Sequence, residues 1–243
     1  MRAFIASLLL HACLPCAGAE ASSYAVLSII GDRLLVAGPR PMVGKPPDPV
    51  FIELNDPAFD AAVLRAVNSA VAGIEPGAKT SLLLPRSPAL FAAQRDALAR
   101  SGEPQALVDA VKPLIGKVPG THLILVSKLR HEPRLRFADN YFEASGRLEG
   151  AGFYVDGAKR VRRTTDGQVA YGFLGLFAYL RVALVDLSTW RVVRDEEVVA
   201  SATHREPDKD PWDSMTAEDK VRVLKGLIDH EVSAAVGRVL APR

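Results

Sequence analysis

The run HLILV at residues 122–126 decides the fold class. Its apolar residues follow one another without alternation, so the segment cannot belong to a sheet with one face in water. It belongs to a strand covered on both sides, as in sheets flanked by helices. Leu82-Leu83-Leu84 reads the same way, as a short buried strand. Two helix starts lie between these runs. Ser87-Pro88 sets a serine cap before a proline at the first helical position, opening a helix to about Arg100 with Leu90, Phe91 and Leu98 inward. Glu103-Pro104 opens a shorter helix that Pro113 disturbs.

Upstream, Tyr24–Ile30 and Leu34–Ala37 are apolar runs split by Gly31-Asp32-Arg33, the pattern of an opening hairpin. A proline-rich loop fills 38–49, and Val50–Leu54 reads as a further short strand. Asn55-Asp56-Pro57 signals the next helix, with Asp56 as its cap. Phe59, Val63, Val67, Ala70 and Val71 give that helix one apolar face, and Gly73 is its expected stop.

Downstream the chain turns to strands. Tyr141–Val155 and Tyr171–Leu187 are extended segments forming the two arms of a long hairpin. Between them Lys159, Arg160, Arg162 and Arg163 crowd a tip bounded by Asp156-Gly157 and Asp166-Gly167. Ser188-Thr189 turns the chain into Trp190–Ala200, a close antiparallel return. Thr216 and Asp219 form a capping box before an amphipathic helix with Val221, Leu224, Ile228, Val232, Ala235 and Val239 on one face. The expected fold is mixed α/β: a single mixed sheet with helices packed on it, a long β-hairpin and a C-terminal amphipathic helix.

The first residues carry an address. Arg2 precedes the apolar stretch Ala3–Leu10, and Ala17-Gly18-Ala19 is a small-x-small cleavage pattern. Residues 1–19 therefore read as a signal peptide, 20–49 as the hairpin and proline-rich loop, and 50–243 as the mixed α/β body, the last two forming one domain. This predicts a secreted, periplasmic protein with no transmembrane helix in its mature part. Both cysteines, Cys13 and Cys16, fall within the leader. Cleavage after Ala19 removes them, and lipid anchoring through Cys13 or Cys16 is the alternative. The chain carries 30 basic and 28 acidic side chains, a balance that argues against nucleic-acid binding.

The segment YLRVALVDLSTWRVVRDEEV (Tyr179–Val198) resembles a strand-turn-strand unit of periplasmic α/β domains. These are the N-terminal domain of the translocation protein TolB, the penicillin-binding-protein activator lipoproteins and the curli-secretion channel subunits. Trp190 stands where that pattern prefers glycine. The opening YAVLSIIGD is similar to secreted proteobacterial proteins of unknown function. These resemblances imply a shared fold and an envelope setting, not a reaction.

Catalytic signatures are missing from the sequence. Ile29-Ile30-Gly31-Asp32 matches the start of the SGNH esterase motif, but Arg33 occupies the serine position, and a guanidinium cannot attack an ester. His122, His131, His204 and His230 form no two-ligand pair, so neither metal nor cofactor is expected. The better candidate is the carboxyl end of the strands, where open α/β sheets gather ligands. Arg86 and Ser87 follow one strand and precede a helix start that favours anions. Ser127, Lys128 and Arg130 follow another. An anion is expected there, and an envelope protein or anionic surface at Lys159, Arg160, Arg162 and Arg163. The expected role is non-enzymatic envelope binding or assembly. A secreted hydrolase with scattered residues and a subunit that self-associates through the long hairpin are the alternatives.

Overall fold

The structure, a computed structural model, describes residues 22–39, 49–85, 87–137, 140–143, 146–162, 169–206 and 208–241, with backbone alone at 159–162 and 169–171. The N-terminal half holds β1 (Ser23–Ser28), β2 (Arg33–Ala37), β3 (Val50–Glu53), α1 (Ala58–Ile74), β4 (Lys79–Leu83), α2 (Pro88–Arg100) and α3 (Pro104–Ile115). Then come β5 (His122–Lys128), β6 (Arg130–His131), β7 (Arg134–Phe137) and β8 (Asn140–Glu143). The chain closes with β9 (Leu148–Arg162), β10 (Val169–Asp186), β11 (Arg191–His204) and α4 (Ala217–Leu240). This is the expected mixed α/β fold.

β10 is the spine of the main sheet, whose order is β3-β2-β9-β10-β5-β1-β4. One edge of β10 pairs with β11 from Leu174 to Asp186. Its other edge is shared: Tyr179 faces Gly150 of β9, and Leu180 faces Lys128 of β5. β5 and β9 thus lie end to end. Leu129 closes the joint, its N–H donating to the Tyr179 carbonyl at 2.9 Å and its carbonyl accepting from the Gly150 N–H at 3.1 Å.

The next line of the sheet repeats this arrangement, with β1 parallel to β5 and β2 parallel to β9. The hairpin expected at Gly31-Asp32-Arg33 therefore does not form: β1 pairs with β4 and β5, and β2 with β3 and β9. The reason lies in β1, which is buried on both faces. Ala25 and Leu27 pack toward α2 and α3, while Tyr24 and Val26 pack toward α1 and α4. A strand of that kind is best placed inside a parallel sheet.

Helices α1 and α4 cover one face, over Leu174, Leu176, Ala178, Leu180 and Val182 of β10. On the other face α2 and α3 cover β1 and β5, while the small β7–β8 sheet covers Phe173, Phe177 and Tyr179. Both faces of β10 are core, each large apolar side chain contributing roughly 1.5–3 kcal/mol. Other local expectations shift. β4 is an edge strand, Leu82 within it and Leu84 just past it are nearly half exposed, and Asp56 does not cap α1, which runs through Gly73 to Ile74. The extended arm from Tyr141 divides into β8 and β9.

The two proline-led starts hold. Ser87 accepts from the Ala89 N–H, and Pro104 opens α3. Thr216 accepts from the Asp219 N–H at the start of α4. At the β10–β11 turn Trp190 has φ of 58°, so a bulky residue occupies the left-handed conformation suited to glycine. Its N–H donates to the Asp186 carbonyl at 2.7 Å, and its carbonyl accepts from Gln105 Nε2 at 3.0 Å. Among the described residues no helix is long and apolar enough to cross a membrane.

Candidate functional site

The strands β4, β1 and β5 are parallel neighbours, so their carboxyl ends meet at one rim. Ser87 stands after β4 as the cap of α2. Ser127 and Lys128 end β5 and are buried, and Arg130 follows in β6. Arg86 lies outside the described residues. The rim brings together more than these positions, because two buried side chains from opposite layers terminate the strands.

Asp60, in the first turn of α1, is 1% exposed. Its Oδ1 accepts from Ser28 Oγ at 2.6 Å, the Ile30 N–H at 2.9 Å and the Gly31 N–H at 3.2 Å. A side chain on Gly31 would place its Cβ 2.4 Å from Asp60 Oδ2, so glycine is needed for this approach. Burial raises the Asp60 carboxyl above its ordinary value, outweighing the three donors. From α2, Gln94 donates to the Ile29 carbonyl and accepts from the Lys128 N–H, both at 2.7 Å. Together these two residues satisfy the backbone at the step from β1 to β2.

Asp32 follows at the step itself. It pairs with Lys128 Nζ and, at 3.0 Å, with Arg95 Nη1. Lys128 Nζ also donates to the Arg33 carbonyl at 3.2 Å. Burial lowers the Lys128 ammonium below its ordinary value despite the Asp32 carboxylate. The Lys128 stem crosses Gly150, which has φ of 68° and would meet Lys128 Cδ at 2.7 Å if it carried a Cβ.

Two clefts open on either side of the Asp32-Arg33 pair. One, of about 480 Å³, is lined by Asp32, Glu53, Asp56 and Asp60, with Ser87 and Arg95. The other, of about 490 Å³, is lined by Arg33, Arg130, Arg147 and Glu149, with Leu35 and Phe51 among its apolar contacts. The first is acidic and the second basic. Of the five residues expected to hold an anion, Arg130 lines the basic cleft and Ser87 the acidic one, while the Lys128 charge is matched by Asp32. Sequence reasoning missed Asp60, Gln94, Arg33 and Arg147. Asp60 and Gln94 had a signal, a polar residue amid buried neighbours of an amphipathic helix.

Lys159, Arg160 and Arg162 lie on β9 where the hairpin continues, with Arg162 opposite Val169. Their side chains, and Arg163 altogether, lie outside the described residues, as do residues 1–21 with Cys13 and Cys16. Nearer the sheet the hairpin steps out of register beside Gly172, whose φ is 81° and whose Cβ would meet the Asp156 carbonyl at 2.6 Å. Among the described residues no group of three or more metal-ligating side chains comes together.

No family model matches the chain, and no curated protein matches it. Solved structures are similar to it only at low identity and low TM-score. A protein from Helicobacter pylori described as a homolog of a neuraminyllactose-binding hemagglutinin is 8% identical over 91% of this chain and 84% of that one, with a TM-score of 0.42. A DUF330 protein from Xanthomonas campestris is 10% identical over 90% and 83%, with a TM-score of 0.38. The PelC dodecamer from Paraburkholderia phytofirmans is 9% identical over 91% and 88%, with a TM-score of 0.23. All three are bacterial proteins, and the TolB, penicillin-binding-protein-activator and curli-secretion resemblances are not supported.

Proposed function

We propose that this chain is an exported, periplasmic envelope protein that works by binding an anionic ligand or partner rather than by transforming a substrate. One observation carries the reading. At the rim where an open α/β sheet would hold its reactive groups, the buried polar side chains are engaged in holding the sheet together. Asp60 accepts three bonds, Gln94 bridges β1 to β5, and Lys128 and Asp32 neutralise each other. In the basic cleft the charges facing solvent are guanidiniums, which suit recognition of anions and are not nucleophiles, while the exposed Glu53 and Asp56 carboxylates line the acidic one.

The test is expression of the full chain with its leader, followed by cell fractionation and N-terminal sequencing. A periplasmic product beginning at Glu20 or Ser22 supports export, and an acylated Cys13 or Cys16 replaces the soluble form by an anchored one. A cytoplasmic product with intact Met1 defeats the export reading. The purified protein is then assayed for retention on envelope membranes at low and high salt. Salt-sensitive retention supports binding. Hydrolysis of ester, amide or glycoside substrates that Asp32→Asn abolishes in a folded protein would establish the enzyme alternative instead.

A further inference from the structure

The basic cleft is built by a close strand approach. Gly152 on β9 lies opposite Leu35 on β2, and a Cβ there would sit 1.9 Å from the Leu35 carbonyl oxygen. That absence of a side chain lets β2 seat against β9 and brings Arg33, at the start of β2, toward the β6–β9 pair. Arg130 and Glu149 are direct cross-strand partners there.

Three guanidiniums face one carboxylate in this cleft. Arg130 uses both Nε, at 3.2 Å, and Nη2, at 2.5 Å, on the same Glu149 oxygen. Arg33 Nη2 stands 3.8 Å from the other oxygen, with its Cζ 3.8 Å above the Phe51 ring. Arg33 Nε is buried without a hydrogen-bond partner, with Asp32 Oδ2 at 4.0 Å as a second, looser counter-charge. Arg147 is exposed and makes no ion pair among the described residues. Glu149 thus occupies the place an oxyanion would take between Arg33 and Arg130, and it leaves the positive charge of the cleft only partly matched. The Leu35 and Phe51 side offers apolar contact beside that charge.

Resting on the binding reading above, we infer that this cleft binds an oxyanion, phosphate or carboxylate, carried on a body with an apolar side. Arg147 makes the first contact, and Glu149 is an internal stand-in that the ligand displaces from Arg33 and Arg130. The same chemistry is offered by a lipid headgroup and by a soluble organic phosphate or acid.

The purified mature protein is titrated calorimetrically with inorganic phosphate, and separately sedimented with phosphatidylcholine vesicles with and without phosphatidylglycerol. Glu149→Gln, which removes the competing charge but keeps the shape, is expected to bind the probe roughly tenfold more tightly. Arg147→Ser, at an exposed position, is expected to bind roughly tenfold more weakly and to fold as the parent does. Arg147-dependent binding of phosphatidylglycerol vesicles assigns the oxyanion to a lipid headgroup, and Arg147-dependent binding of phosphate without vesicle binding assigns it to a soluble ligand. Both support the inference. It is overturned if neither probe binds, or if binding is the same in the parent, Glu149→Gln and Arg147→Ser. Salt-sensitive retention on envelope membranes that persists in Arg147→Ser leaves the binding reading standing and moves its site elsewhere.

Discussion

The two clefts beside Asp32-Arg33 are nearly equal in volume and opposite in charge, and their charges are held in different ways. In the acidic cleft the deepest carboxylate, Asp60, is tied to three donors of the chain, and Asp32 is paired with Lys128 and Arg95. In the basic cleft Arg33 Nε makes no hydrogen bond and lies 4.0 Å from Asp32 Oδ2, and Arg147 is exposed. The difference separates charge that maintains the sheet from charge that meets solvent. A buried group leaves donors or acceptors stranded when it is removed, whereas an exposed one leaves nothing behind.

That contrast fails first if Asp60→Ala is harmless. The substitution strands the Ile30 and Gly31 N–H groups and Ser28 Oγ, and is expected to cost about 3 kcal/mol in urea unfolding. A cost below about 1 kcal/mol would mean that relief of the carboxylate's desolvation cancels its bonds. Gln94→Ala is expected to cost about 2 kcal/mol by the same measurement, since it unpairs the Ile29 carbonyl and the Lys128 N–H.

A pH series sharpens the comparison further. Because Asp60 titrates above its ordinary value of 3.8 when folded, the native state holds that proton more tightly than the unfolded chain. Its contribution is present in full below 3.8 and is lost as pH rises through the raised folded value. The stability of the parent minus that of Asp60→Asn should therefore fall as pH rises from 3.8, then level off. A difference that rises over the same window would show that the three donors outweigh burial. The smallest effect belongs to the basic cleft: Arg147→Ser should alter stability by no more than about 0.5 kcal/mol in urea. A larger loss would place Arg147 among the residues that hold the fold.

Much of this architecture was legible because it is written locally. Ser87-Pro88 and Thr216 with Asp219 mark helix starts within four residues, and HLILV announces a doubly covered strand. The step at Gly31-Asp32-Arg33 was misread because two apolar runs around a glycine look alike as a hairpin and as collinear strands. What decides between them is distant: the edges of β5 and β9, and a carboxylate 29 residues on, at Asp60. The same limit applies to the rim where the sequence leads one to expect an anion. Lys128 and Arg130 advertise charge at a strand end, but the sequence does not say that Asp32 claims one and Glu149 the other. Arg33, Arg130 and Arg147 become neighbours only through the β2–β9 and β6–β9 pairings.

The end-to-end arrangement of β5 and β9 along β10 also sets an order of events during synthesis. β1, β4 and β5 are complete once residue 128 has been made, yet the edge of β5 that faces β10 has no native partner until 180–186 follow. Over that interval a row of unpaired backbone groups beside Leu123, Ile124 and Leu125 is open to any other extended chain. A nascent form halted before β10 should therefore be the species most in need of a chaperone, and truncation before Val169 should yield aggregates rather than a smaller folded protein.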